Sequence, residues 1–135
     1  MRTYDKLYID GAWVQPDGTG SIDVHHAHTE EVMATIPEGS AVDMDRAVRA
    51  ARAAFEGWAA HDVEERAKYV QRIAEGLMAR EAELVEVISG EVGMPAGLTK
   101  GIQVGLPVGT TMSVVGIVKD FAFEERIGNS LVVRE

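Results

Sequence analysis

Three of the four histidines fall within four residues, at His25, His26 and His28, and imidazole is the commonest side-chain ligand of transition metals. On an extended segment His26 and His28 would share a face with His25 opposite, and the chain has no cysteine to complete a common zinc set. The cluster therefore reads as an exposed connecting segment. The acidic pairs Glu30-Glu31, Glu64-Glu65 and Glu124-Glu125 suggest general acid–base work, but adjacent carboxylates on a helix diverge, so solvated faces are expected. Glu64 and Lys68 have the polarity of an i,i+4 surface pair, worth a few tenths of a kcal/mol. Gly97, Gly101, Gly105 and Gly109 recur every four residues, yet neither G-x-G-x-x-G nor a P-loop occurs, so close packing is expected rather than phosphate binding. Trp13 and Trp58 read as core anchors. No nucleophile–base constellation emerges, and a thiolate is excluded outright.

The elements that would position these residues change character along the chain. Leu7-Tyr8-Ile9, the tight-turn pair Asp10-Gly11 and Trp13-Val14 form a hairpin pattern, and Ile22–Val24 and Val32–Ile36 are two further short strands. From Ser40 the period becomes helical. Ser40 and Asp43 have capping-box spacing, and Met44, Ala47, Val48, Ala51, Ala54, Phe55 and Trp58 form one apolar stripe. Asp62 with Glu65 opens a second helix whose stripe is Val63, Ala67, Val70, Ile73, Ala74 and Leu77. A shorter third helix carries Leu84, Val87 and Ile88 and ends near Gly93. After Pro95 the glycines weaken the helical signal and Pro107 removes a backbone donor, so a kinked helix is expected. Gly128-Asn129-Ser130 then turns the chain into an edge strand from Leu131 to Glu135, which the chain is expected to end inside. Short strands, an all-helical middle and a terminal strand describe α+β pieces of something larger.

Composition narrows the partners. With 135 residues the chain builds one modest core. A net charge of −9 repels nucleic acid and anionic lipid surfaces. The N-terminus has no apolar run of signal-peptide length, so a cytoplasmic location is expected. The uncharged stretch Gly101–Val118 approaches spanning length, but its glycines, Gln103, Pro107 and hydroxyl residues argue against a membrane helix.

Read in order, several stretches resemble one family. Leu7-Tyr8-Ile9-Asp10-Gly11-Ala12-Trp13, Glu30–Gly39, Asp45–Phe55 with Gly57-Trp58, then Arg66, Ile73-Ala74, Glu91-Val92-Gly93-Met94-Pro95 and Glu124–Glu135 are similar to the opening of an aldehyde dehydrogenase. The resemblance implies that residues 1–128 are the outer strands and helices of a cofactor-binding domain in an α/β protein. Residues 129–135 would begin an oligomerisation arm, with Leu131, Val132, Val133 and Arg134 in a subunit interface. It implies NAD or NADP chemistry in the full-length family, carried by a cysteine nucleophile, a glutamate base and an oxyanion-binding asparagine that lie downstream, so no catalytic or cofactor-binding residue is assigned to this chain. It further implies that backbone carbonyls at Val24 and His25, with the carboxylate of Glu91, correspond to a monovalent-cation site found in some members. The chain departs from the family where His26-Ala27 replaces the usual Asn-Pro and where Met94 replaces a common lysine. Glutamate stands at position 91 where aspartate is frequent. The expected partners are the remainder of an aldehyde dehydrogenase chain or a second copy of this one. The alternative is a stand-alone, non-catalytic scaffold.

Overall fold

The computed structural model describes residues 2–134; Met1 and Glu135, the last residue of the expected terminal strand, lie outside the described residues. Strands β2 (Leu7–Ile9) and β3 (Ala12–Val14) form the expected hairpin. Asp10 and Gly11 both take positive φ, +54° and +74°, the double left-handed turn that matches strand twist. Strands β4 (Ser21–His25) and β5 (Val32–Pro37) pair antiparallel. A two-residue strand β1 (Arg2–Thr3) adds to the far side of β5 in parallel, a pairing too short to leave any periodicity in the sequence.

Helix α1 (Ala41–Ala60) begins at Ser40 with the capping box complete, and α2 (Val63–Ala79) begins at Asp62, whose carboxylate accepts from the Glu65 N–H at 2.8 Å. Only Arg80 separates α2 from α3 (Glu81–Val92). Gly93, at φ +70°, closes α3 in the left-handed cap conformation, its N–H donating to Ser89 O. The expected kinked helix is a continuous helical run in three parts: a short α4 (Ala96–Leu98), a π-helical turn (Thr99–Gly105) and α5 (Leu106–Ile117). A proline ring at Pro107 would crowd the carbonyl four residues back in an ordinary helix, and the wider turn just ahead of it relieves that clash. Gly105 permits it, since a Cβ there would sit 3.1 Å from Lys100 O.

The core lies where α2, α3, the π turn and α5 meet, around the buried Ala74, Val104 and Val108, with Ala34 buried separately in the sheet. Thr99, with no exposed surface, ties α3 to the π turn: its hydroxyl accepts from Ser89 Oγ at 3.0 Å and donates to Met94 O or Pro95 O. Helix α1 is different. Every residue from Ala51 to Ala60 is exposed, Phe55 at 56 %, and the contacts of its stripe are confined to the two ends of the helix. The two tryptophans are likewise not core anchors: Trp13 is 64 % exposed on the hairpin, edge-on to Tyr8, and Trp58 is 41 % exposed at the end of α1, edge-on to Tyr69. Both sit on elements that border the core rather than enclose it.

The terminal strand is not a lone edge. β7 (Ser130–Val133) pairs with β6 (Glu124–Ile127) around Gly128 at φ +61°, so the strand expected from Leu131 is half of a hairpin starting at Glu124. The Glu64–Lys68 pair is not among the described ion pairs; the helix pairs that form include Arg80–Glu83 and His61–Glu65. No described helix, including the run through Gly101–Val118, is long and apolar enough to cross a membrane.

Candidate functional site

The histidine segment and Glu91 meet at one junction. β4 ends at His25, the register slips between Val24 and His25, and the chain turns sharply where an extended segment was expected. His26 causes that turn: its Nδ1 accepts from the N–H of His28 (3.2 Å) and of Thr29 (3.3 Å), while its own N–H donates to Glu31 O and its carbonyl accepts from Glu30 N–H. An asparagine side-chain oxygen makes the same local bonds in an Asx turn, so the His26 ring nitrogen does here what an asparagine side chain would do. Glu30 is held at φ +60° to complete the turn.

The turn docks on the end of α3. Ala27 N–H donates to Gly90 O at 2.7 Å, and Gly90 is buried against Met33 and His26; a Cβ on it would lie 2.9 Å from Met33 Cε and 3.3 Å from His26 Cδ2. Glu91 follows on the exposed side of the same helix end. The structure thus places Val24, half-buried, and His25, exposed, on the strand whose continuation bonds the residue before Glu91. It does not assemble a side-chain metal centre. His25 Nδ1 lies 3.1 Å from Glu30 O, to which it donates, His26 Nδ1 is already an acceptor, and no cluster of three or more His, Cys, Asp or Glu suited to a metal exists among the described residues.

A second polar centre holds the start of α1. Asp43 is only 3 % exposed, and its carboxylate accepts from Ser40 N–H and Oγ, from Asp17 N–H at 3.1 Å to both oxygens, and from Arg46 Nη1 at 3.3 Å. These contacts, led by the Ser40 backbone bond, hold the Asp43 carboxyl below the usual aspartate range against the opposing effect of burial. A carboxylate so committed stays ionised and is a structural anchor, not a proton donor. Capping-box spacing made the Ser40 contact legible; nothing in the sequence marked the Asp17 contact. The buried Ser89–Thr99 pair was missed as well, because two hydroxyl residues ten apart carry no signature.

The four candidate interface residues occupy the C-terminal hairpin. Leu131 and Val133 are exposed, Val132 and Arg134 half-buried. Arg134 anchors the ribbon: its N–H donates to Phe123 O, Nη1 to Ala122 O, both at 2.8 Å, and Nη2 to Glu125 Oε2 at 2.6 Å.

Comparison with known proteins gives this geometry its context. The aldehyde dehydrogenase family model matches residues 13–130. A 3-succinoylsemialdehyde-pyridine dehydrogenase from a Pseudomonas species is 34 % identical across the whole chain, and a putative aldehyde dehydrogenase of Staphylococcus aureus is 32 % identical. The chain spans about 28 % of the length of each. Among solved structures, a variant of aldehyde dehydrogenase C from Pseudomonas syringae, complexed with NAD+ and octanal, superposes with a TM-score of 0.92 at 39 % identity, covering 97 % of this chain and 27 % of that one. The Mycobacterium tuberculosis aldehyde dehydrogenase complexed with NAD+ gives 0.91 at 30 % identity, covering 99 % and 29 %. Matched along nearly its full length by sequence and by fold, this chain belongs to the aldehyde dehydrogenase family.

Proposed function

We propose that the chain serves as the N-terminal part of an NAD(P)-dependent aldehyde dehydrogenase, supplying outer strands and helices while the chemistry resides in residues it does not contain. The observation that carries this reading is the pairing of a near-complete structural match with the absence of any cysteine. Aldehyde oxidation in the family joins a thiolate to the aldehyde carbon, passes hydride to the nicotinamide and hydrolyses the resulting thioester. A chain without a thiol forms no such adduct. Residues 1–128 then belong to the cofactor-binding domain and residues 129–135 to the assembly arm, in a protein of the cytoplasm. The test is direct: the purified chain, incubated with NAD or NADP and a panel of aldehydes, forms no reduced nicotinamide above a buffer control, and calorimetry detects no dinucleotide binding. Turnover, or tight binding, overturns the reading.

A second reading, self-association, is favoured by the exposed apolar side chains of α1, α2 and the C-terminal hairpin, Phe55, Ile73, Leu131 and Val133 among them. Wet apolar surface costs about 25 cal/mol per Å², which a small fold recovers by pairing with a copy of itself. Light scattering across a concentration series should show a defined dimer; a monomer at every concentration removes this reading.

For the β4–α3 junction, a monovalent cation held by the carbonyls of Val24 and His25 and the Glu91 carboxylate is the finer proposal. Its support is the register slip at Val24/His25 just before the turn that docks on the end of α3. Melting in potassium or sodium chloride compared with choline chloride tests it: a rise with the small cation that Glu91→Gln abolishes supports the site, and equal melting in all three salts contradicts it.

A further inference from the structure

The exposed face of α1 has a pattern of its own. Met44, Val48, Ala51, Phe55 and Trp58 follow one another at steps of four and three in turn, the repeat of about 3.5 residues that marks a seam between paired helices. Trp58 is engaged within the chain, edge-on to Tyr69 at 5.5 Å, whereas Met44, Val48 and Phe55 are 66, 59 and 56 % exposed. Along one side of the seam lie Ala47 and Ala54, small enough for a second helix to approach closely. Along the other side lie Asp45 and Arg52, both exposed and in line with each other. Neither enters an ion pair among the described residues, while Arg46 beside them is held by Asp43.

These charges choose an orientation. Two parallel copies of α1 would set Asp45 and Arg52 against alanines; in an antiparallel pair like sides of the seam meet, so Asp45 of each copy lies against Arg52 of the other. The same register sets Met44 against Phe55 of the second copy and Val48 against its Ala51. A recess of about 260 Å³ beside Met44 and Ala47, walled by Leu7, Tyr8 and Ile9 of the hairpin, lies where that Phe55 ring would enter. Helix α1 also balances Arg46, Arg49 and Arg52 against Asp43, Asp45 and Glu56, so a chain of net charge −9 meets its copy through a helix of no net charge. We propose that α1 is a homodimerisation helix, two copies pairing antiparallel along the seam from Met44 to Phe55 and held in register by two Asp45–Arg52 ion pairs. This rests on the self-association proposed above and gives it a surface, an orientation and a register.

The test is the dimer dissociation constant of the whole chain, measured by sedimentation across a concentration series, with circular dichroism to check each variant. Asp45→Lys alone and Arg52→Glu alone each turn two opposite-charge pairs into two like-charge pairs and should weaken the dimer about tenfold. An equimolar mixture of the two variants restores both pairs, so it should form a mixed dimer as tight as the parent; the double variant should do the same with itself. Leu131→Asp, on the C-terminal hairpin, should leave the constant unchanged. A monomer at every concentration overturns this proposal and self-association together. A parent dimer that both single variants leave intact, or that neither the mixture nor the double variant restores, overturns the pairing of α1 alone and leaves self-association to another face.

Discussion

Helices α1 and α2 carry apolar stripes of the same period, yet one is covered over much of its length within the chain and the other only at its two ends. The stripe of α2 places Ala74 in the core and Val63, Ala67 and Val70 against α5. The stripe of α1 turns Met44, Val48 and Phe55 to solvent, and among the described residues its apolar contacts are confined to its ends, beside the β2–β3 hairpin and, through Trp58, on Tyr69 of α2. Periodicity reports that a face is built to be covered. Where the cover comes from depends on long-range topology, and among the described residues most of the α1 stripe and the apolar side chains Leu131 and Val133 of the C-terminal hairpin are left exposed.

A matched pair of substitutions sharpens the contrast most. Val104→Ala, in the core, should cost about 2 kcal/mol in denaturant unfolding, through lost burial and the cavity it leaves. The same deletion at Val48, on the bare stripe of α1, should fall within about 0.5 kcal/mol of the parent. Equal effects at the two positions would mean that α1 is packed. Thr99→Val should cost about 1–2 kcal/mol, because it removes the Ser89 hydroxyl's acceptor and a donor to Met94 O at a fully buried position, while Pro95 O keeps the N–H groups of Leu98 and Thr99.

The other two predictions concern the polar anchors that attach the peripheral elements. Because the carboxyl of Asp43 is lowered in the fold, its contribution is complete above the ordinary aspartate value of about 3.9 and is lost as the pH falls through its lower folded value. Asp43→Asn should therefore weaken the chain at neutral pH and flatten its loss of stability between pH 5 and acid, read from thermal melts across that range. An unchanged acid limb would show that Asp43 is not the group responsible. At the β4–β5 turn, His26→Ala should cost about 1 kcal/mol and His26→Asn only a fraction of that, since an asparagine oxygen can accept the same two N–H groups. If asparagine proves as costly as alanine, the acceptor role assigned to the imidazole is wrong.

What the sequence made legible follows the same division between local and long-range. The Asp10-Gly11 turn, the caps at Ser40 and Asp62 and the Gly93 terminus were readable because each is a contact between near neighbours. β6 was not, because Glu124-Glu125-Arg126 lies on a ribbon exposed on both faces and shows no apolar alternation. His26 was read as part of an extended segment since nothing local distinguishes a ring nitrogen that caps a turn from one that awaits a metal. Of the candidate site, Val24, His25 and Glu91 came only through family resemblance. The bond from Ala27 to Gly90 that brings their elements together spans 63 positions and has no sequence signature.

Within this chain α2, α3, the π turn and α5 form the packed core, whereas α1 and the C-terminal hairpin leave their apolar side chains exposed. Amide hydrogen exchange, resolved by segment at two protein concentrations, tests that contrast most directly. At low concentration Ala51–Ala60 and the 124–133 ribbon should exchange orders of magnitude faster than Ala74 and Val104–Val108, and protection of the outer elements should grow at the higher concentration wherever copies associate. Protection of α1 that equals that of α2 and α5 and does not depend on concentration would contradict the account.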